Sequence, residues 1–161
     1  HYDRREQGLV VDYVIIMGYD EHYVGSDAGS VASLPWVEQG VEDTLTEVPA
    51  ERTILAVPFY TRLWKTTGGA VTSEAIGMTE AQNVLTENQV QTVWDGSVGQ
   101  NYGEYEKDGS TYQIWMEDAQ SIAEKVQLIP KYNLAGVAQW RLGFESNDIW
   151  STISENLQAS S

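Results

Sequence analysis

Three apolar runs in this 161-residue chain end in side chains able to engage a ligand. DYVIIMGY at 12–19 delivers Met17, Tyr19 and, just beyond, Asp20. TILAVPFY at 53–60 delivers Tyr60 and Arg62, and LAGVAQW at 134–140 delivers Gln139, Trp140 and Arg141. Phenols and a guanidinium donate hydrogen bonds, a carboxylate accepts them, and an indole offers a flat apolar face. In parallel α/β folds such groups gather at the C-terminal ends of strands. Tyr19 and Asp20 are therefore expected at the rim of a cleft, facing a ligand. Taken singly, each has a plain structural explanation. Strand-end aromatics commonly pack into cores, and Asp20-Glu21-His22 alone would be a solvated loop. What favours a site is that three runs repeat the arrangement.

The elements that must position these residues follow from periodicity. None of the three runs alternates cleanly, which suits strands covered on both faces of a parallel sheet. LPWVEQGVEDTLTEVP (34–49) places Trp36, Val37, Val41 and Leu45 at helical spacing, with Pro35 near the start and Pro49 past the end. EDAQSIAEKVQLIPKYN (117–133) sets Ile122, Val126 and Ile129 on one face, with Asp118 as the cap. NDIWSTISENL (147–157) reads as a further helix capped by Asn147 or Asp148. Trp36 is expected in the core.

Between the second and third runs the character changes. TEAQNVLTENQ (79–89) predicts a short helix opened by Thr79, and NYGEYEKDGSTYQIWM (101–116) predicts a hairpin turning at Asp108-Gly109. The implied organisation is residues 1–64 with two strands and their helix, 65–116 as a small α+β insertion, and 117–161 with helix, strand and helix.

Composition narrows the partners. A formal net charge of −15, from 24 acidic and 9 basic residues, repels phosphate backbones and anionic membranes, so no nucleic-acid partner is expected. Hydrophobic residues make up 42%, a globular proportion. No cysteine is present, so disulfides and thiolate metal sites are absent. No apolar run approaches the roughly 20 residues of a membrane span. Asp20, His22 and Asp27 lack any metal-specific spacing, and no metal is expected. The opening HYDRREQG resembles the charged surface of a helix rather than a signal peptide, which suggests a fragment.

The motifs together resemble glycoside hydrolase family 18, the chitinase-like (β/α)8 barrels. MGYDEHY resembles the Met-x-Tyr-Asp motif of that family's sixth strand. AVPFYTRLW resembles the seventh strand, whose Tyr-x-Arg ending leads into an α+β insertion. GVAQWRLG resembles the eighth, which supplies a tryptophan beneath the cleaved sugar. YDEHY, SLPWV and WMEDAQSIAEKV are most similar to the bacterial spore-cortex and cell-wall branch.

The resemblance implies a fold: strands six to eight of a TIM barrel, with the family's Asp-x-x-Asp-x-Asp-x-Glu motif upstream, since nothing in these residues matches it. It also implies a mechanism, substrate-assisted retention, one of the exceptions to two-carboxylate glycosidases. The 2-acetamido group would attack the anomeric carbon after an upstream glutamate protonates the leaving oxygen. Tyr19 and Asp20 would be catalytic, the one donating to the acetamido oxygen, the other supporting a cationic intermediate. Met17, Tyr60, Arg62 and Trp140 would bind substrate, with Trp140 stacked beneath the ring. Glu117 would either line the cleft or start a helix, the latter fitting better. No metal or organic cofactor is implied. The substrate would be an N-acetylglucosamine polymer, peptidoglycan or chitin, and the location the bacterial envelope, spore or exterior. Two alternatives stand beside hydrolysis: a lectin of the same fold lacking the glutamate, and a structural fragment whose open strand edges would make it self-associate or precipitate.

Overall fold

The computed structural model describes residues 12–158; the segment HYDRREQG, expected as a helix surface, lies outside them. In chain order the elements are strand β1 (Val14–Met17), helix α1 (Leu34–Leu45), a 3-10 turn (Ala50–Arg52), and strands β2 (Thr53–Pro58), β3 (Tyr60–Thr67) and β4 (Ala70–Gly77). Helix α2 (Met78–Glu87) and strands β5 (Val93–Asp95), β6 (Gln100–Lys107) and β7 (Ser110–Met116) follow. The chain then forms helices α3 (Ala119–Val126) and α4 (Leu128–Tyr132), strand β8 (Gly136–Trp140) and helix α5 (Ile149–Gln158).

The three apolar runs become one parallel sheet in the order β1-β2-β8, with Met17 opposite Ala56 and Pro58 opposite Trp140. Only the middle strand is buried along nearly its whole length, with Ile54 alone partly so. In β1, exposure alternates: Val14 and Ile16 are partly buried, whereas Ile15 and Met17 are 55% and 66% exposed. The helices cover a single face. Val37 and Val41 of α1, Ile122 and Val126 of α3, Leu128 and Ile129 of α4, and Ile149 and Ile153 of α5 pack with Leu55, Val57 and Phe59 into one core. On the opposite face Ile15, Met17 and Trp140 are exposed.

Several local expectations are corrected. Trp36 is 39% exposed rather than core, because it sits beside Val37 at the open side of β1 and lines a groove with Ile15 and Met17. The single helix expected over 117–133 is two, broken at Gln127, two residues after which Ile129 precedes Pro130. Proline at 130 has no N–H to donate back along a continuous helix. Asp118 does cap α3, in a reciprocal capping box with Ser121. Helix α2 is opened by Gly77 rather than Thr79, which falls inside the first turn.

Residues 60–116 build a five-stranded antiparallel sheet in the order β4-β3-β7-β6-β5. The β6–β7 hairpin turns where expected, with Lys107 paired to Ser110 and both Asp108 and Gly109 at positive φ (51° and 77°). A two-residue turn with both centres left-handed matches the twist of its strands. Helix α2 covers this sheet through a second core of Ile76, Ala81, Leu85, Ile114 and Met116.

A buried polar cluster joins the two bodies. Glu117 and Lys125 are both fully buried, and Lys125 Nζ contacts both Glu117 oxygens at 2.6 and 2.8 Å. Gln100 Nε2 of β6 donates to Glu117 at 2.8 Å, and the Ser121 hydroxyl donates at 3.0 Å. Ser30, in the loop between β1 and α1, donates to the Gln100 side-chain carbonyl. Every charge is satisfied, as burial demands. Burial pushes the Glu117 carboxyl up, and Lys125 pulls it back. Glu117 thus neither lines the cleft nor starts a helix; it fastens the antiparallel sheet to the parallel one.

Candidate functional site

The C-terminal edge of the parallel sheet carries the residues singled out from sequence. At the end of β1, the Gly18 N–H donates to Ala56 O at 2.9 Å, and a Cβ at this position would lie 2.9 Å from that same oxygen. Only glycine allows β1 to run this close to β2 before the chain leaves the sheet. Tyr19 follows, partly buried, and then Asp20, exposed and held at φ +65°. Asp and Asn enter this left-handed region more readily than most residues, though at a cost.

Strand β2 runs through Phe59 directly into β3, so Tyr60 and Arg62 leave the same edge. Tyr60 is 6% exposed, and its hydroxyl donates to Asp20 Oδ1. The Tyr19 and Tyr60 rings meet edge to face, with centroids 6.3 Å apart and planes at 70°. Arg62 Nη1 donates to Ser73 Oγ at 3.1 Å, while its buried Nε has no partner among the described residues. Trp140 ends β8, accepts a 2.7 Å hydrogen bond from Phe59 N–H at its carbonyl, and leaves its side chain 54% exposed. Met17 lies on the same uncovered sheet face as Ile15. Arg141 does not reach this group; its guanidinium stacks 4.6 Å from the centre of the Phe144 ring.

Electrostatics keep both phenols protonated at neutral pH. Burial raises the Tyr19 pKa, and the Asp20 charge raises it further. For Tyr60 burial again leads, reinforced by its hydrogen bond to Asp20, and the phenol is pushed above the ordinary range. Both phenols are therefore hydrogen-bond donors, gathered around a carboxylate beside an exposed indole.

The loop from Asp20 to α1 is built rather than loose, which its composition did not reveal. Glu21 accepts from Ser33 N–H at 2.7 Å and Ser33 Oγ at 3.0 Å, and its own N–H donates to Val31 O at 2.8 Å. His22 Nδ1 lies 2.7 Å from Ser30 O, and the buried Trp64 indole donates to Gly29 O at 2.9 Å. His22 is thus occupied in holding the loop. Among the described residues no group of three or more His, Asp or Glu side chains is gathered as a metal site.

Comparison with known proteins identifies the family of the chain. The model of the family Glycosyl hydrolases family 18 matches residues 2–145. The chain belongs to glycosyl hydrolase family 18. Among curated relatives, the cortical fragment-lytic enzyme of Bacillus subtilis (strain 168) is 28% identical over 157 residues, covering 96% of this chain and 36% of its own length. The crystal structure of chitinase from Chromobacterium violaceum ATCC 12472 superposes with a TM-score of 0.90 at 28% identity, covering 98% of this chain and 49% of that one. The spore cortex-lytic enzyme SleL of Bacillus megaterium QM B1551 gives a TM-score of 0.86 at 25% identity, covering 96% and 36%. The fold is therefore that of part of a family-18 chitinase-like structure, and the chain spans between about a third and a half of the relatives it matches.

Proposed function

We propose that this chain forms part of a glycoside hydrolase that cleaves an N-acetylglucosamine-containing polysaccharide, chitin or peptidoglycan, in the bacterial envelope, spore or exterior. The observation carrying the proposal is the cluster of Tyr19, Asp20 and Tyr60 beside the exposed Trp140, inside a family-18 match. In this reading β1, β2 and β8 are strands six, seven and eight of a (β/α)8 barrel, and residues 65–116 are an insertion after strand seven. The remaining strands would cover Ile15, Met17 and Trp140 from the open side. A glutamate outside these residues would act as the acid.

The chemistry assigned to the residues present follows from their charge and donor state. The substrate's 2-acetamido oxygen attacks C1 as the glycosidic C–O bond breaks and the leaving oxygen takes a proton from the glutamate. Tyr19 donates to the acetamido oxygen and orients it. The Asp20 carboxylate faces the positive charge that spreads onto the acetamido group, a preorganised electrostatic contribution. Water then opens the cyclic intermediate and restores the acetamido group, with retention at C1. Trp140 stacks beneath the sugar, and Arg62 uses its free donors on sugar oxygens from the insertion side.

A lectin of the same fold is the second reading, because the exposed Trp140 indole and the Tyr19, Asp20 and Tyr60 cluster can hold a sugar without any acid. The test is to incubate the full-length protein with N-acetylglucosamine oligomers and with peptidoglycan, beside its Asp20→Asn variant. Cleavage abolished by Asp20→Asn supports hydrolysis, whereas binding without cleavage supports the lectin. Neither binding nor cleavage would overturn both.

A further inference from the structure

Asp20 stands at the centre of the candidate site in a backbone conformation that an L residue rarely adopts, φ +65°. Something must hold it there. On its N-terminal side the chain is pinned by the Gly18 N–H to Ala56 O bond. Its carboxylate receives the Tyr60 hydroxyl, but one side-chain contact at an exposed residue does not set backbone dihedrals. The next residue supplies what is missing. Both carboxylate oxygens of Glu21 are engaged by Ser33, whose backbone N–H and hydroxyl donate at 2.7 and 3.0 Å. The Glu21 N–H donates to Val31 O at 2.8 Å. Three hydrogen bonds thus close the base of the loop between β1 and α1 immediately after Asp20.

The far end of this clamp is itself fixed. Ser33 is the residue from which α1 starts, and its hydroxyl makes no cap within the helix, being turned to Glu21 instead. Leu34 N–H donates to Val98 O at 2.8 Å, tying the helix start to the antiparallel body. Ser30 is anchored through Gln100 to the buried Glu117–Lys125 pair. Glu21 therefore connects Asp20 to a rigid, buried frame.

We infer that Glu21 is a positioning residue, clamping the loop between β1 and α1 so that Asp20 stays in its left-handed conformation with its carboxylate on the Tyr60 hydroxyl. Without the clamp, Asp20 relaxes to the favoured negative φ and its carboxylate swings off Tyr60. The inference deepens the proposed function and rests on it for its catalytic consequence, while its geometric part is testable without activity.

The experiment uses the full-length protein carrying Glu21→Ala, Glu21→Gln, Ser33→Ala and Asp20→Asn, with an N-acetylglucosamine oligomer as substrate. Glu21→Ala is expected to lower kcat by about 10- to 100-fold with KM little changed, the scale of a misplaced catalytic group. Glu21→Gln still accepts from the Ser33 N–H and should recover most of the loss. Ser33→Ala removes one bond of three and should fall between, which covers the case in which Glu21→Ala folds poorly. Combined with Tyr60→Phe, which leaves measurable turnover, Glu21→Ala should add little further loss, because both act through the Asp20–Tyr60 contact and residues acting through one group are not additive. Additivity, or a wild-type kcat in Glu21→Ala while Asp20→Asn is inactive, overturns the inference and leaves the proposed function standing. A silent Asp20→Asn overturns the proposed function instead. In either case the Tyr60 hydroxyl proton, followed by NMR, reads the geometry directly. It should be slow to exchange in the wild type and lost to exchange in Glu21→Ala, and an unchanged resonance overturns the inference.

Discussion

The Tyr60 hydroxyl donates to the Asp20 carboxylate across 40 residues of sequence, joining the end of the first parallel strand to the start of the antiparallel sheet. The contact works in both directions. It holds an exposed carboxylate in one orientation, and it keeps the phenol a donor by raising the cost of its ionisation. Hydrogen bonds to a charged group contribute about 1.5–3 kcal/mol each. Tyr60→Phe in the full-length protein is therefore expected to lower kcat by about 10- to 100-fold, converting that energy at 1.4 kcal/mol per tenfold. Loss of that bond should lower the melting temperature by only a few degrees, since the ring and its packing remain. Wild-type turnover in Tyr60→Phe would show that Asp20 does not depend on it.

In the proposed mechanism Tyr19→Phe removes a single donor aimed at developing charge, and it is expected to lower kcat by about 10- to 1000-fold. The pH profile carries a second signature. Burial, and then Asp20, raise the Tyr19 pKa, so the donor form persists above the usual phenol value of about 10. Any alkaline loss of activity due to Tyr19 should thus lie above that value. Replacing Asp20 by Asn removes the second of the two causes and should bring the Tyr19 phenol to titrate at lower pH, read by ultraviolet absorbance because that variant is expected to lack activity. A Tyr19 titration unmoved by the substitution would show that the Asp20 charge does not act on it.

Trp140→Ala separates binding from folding. More than half of the Trp140 side chain is exposed, so truncation leaves no filled cavity behind and should barely shift the melting temperature. The expected effect is on KM for an N-acetylglucosamine oligomer, about 2- to 13-fold, the range of one stacked aromatic worth about 0.5–1.5 kcal/mol. An unchanged KM would remove Trp140 from the binding surface.

The buried Glu117–Lys125 pair predicts a large stability effect. Lys125→Met strands the Glu117 carboxylate in the interior and should cost about 3–5 kcal/mol by chemical denaturation. Adding Glu117→Leu should recover much of that cost, because a pair of well-packed apolar groups replaces a stranded charge. Equal stability of Lys125→Met and wild type would mean that the cluster is dispensable to the junction of the two bodies.

Several features were legible in the chain itself because they are local. A two-residue turn at Asp108-Gly109 between alternating aromatics is dictated by backbone sterics, and the structure has it there. The Asp118 cap and the apolar face of Ile122 and Val126 follow from helix geometry in the same way. The three apolar runs became three parallel strands because their length and flanking polar segments leave few other options. The family was legible from short motifs at their ends, MGYD, PFYTR and AQWR, all of which fall within the matched residues 2–145.

Tertiary structure alone decided what those motifs do to one another. That Tyr60 rather than Arg62 touches Asp20 depends on β2 running into β3 without a break, a fact about two sheets and not about either segment. Glu21 looked like one charge in a solvated burst, since no local pattern marks a residue whose partner lies twelve positions on. Glu117 looked like a rim or helix-start carboxylate, yet it is buried, because Gln100 and Lys125 arrive from separate elements to satisfy it. Trp36 had a core residue's spacing and is exposed, because helical periodicity shows which face is apolar but not whether a neighbouring strand is there to cover it. Hydrophobic period and turn chemistry are properties of adjacent residues, whereas burial, charge pairing and the aim of a catalytic side chain arise only when distant segments meet.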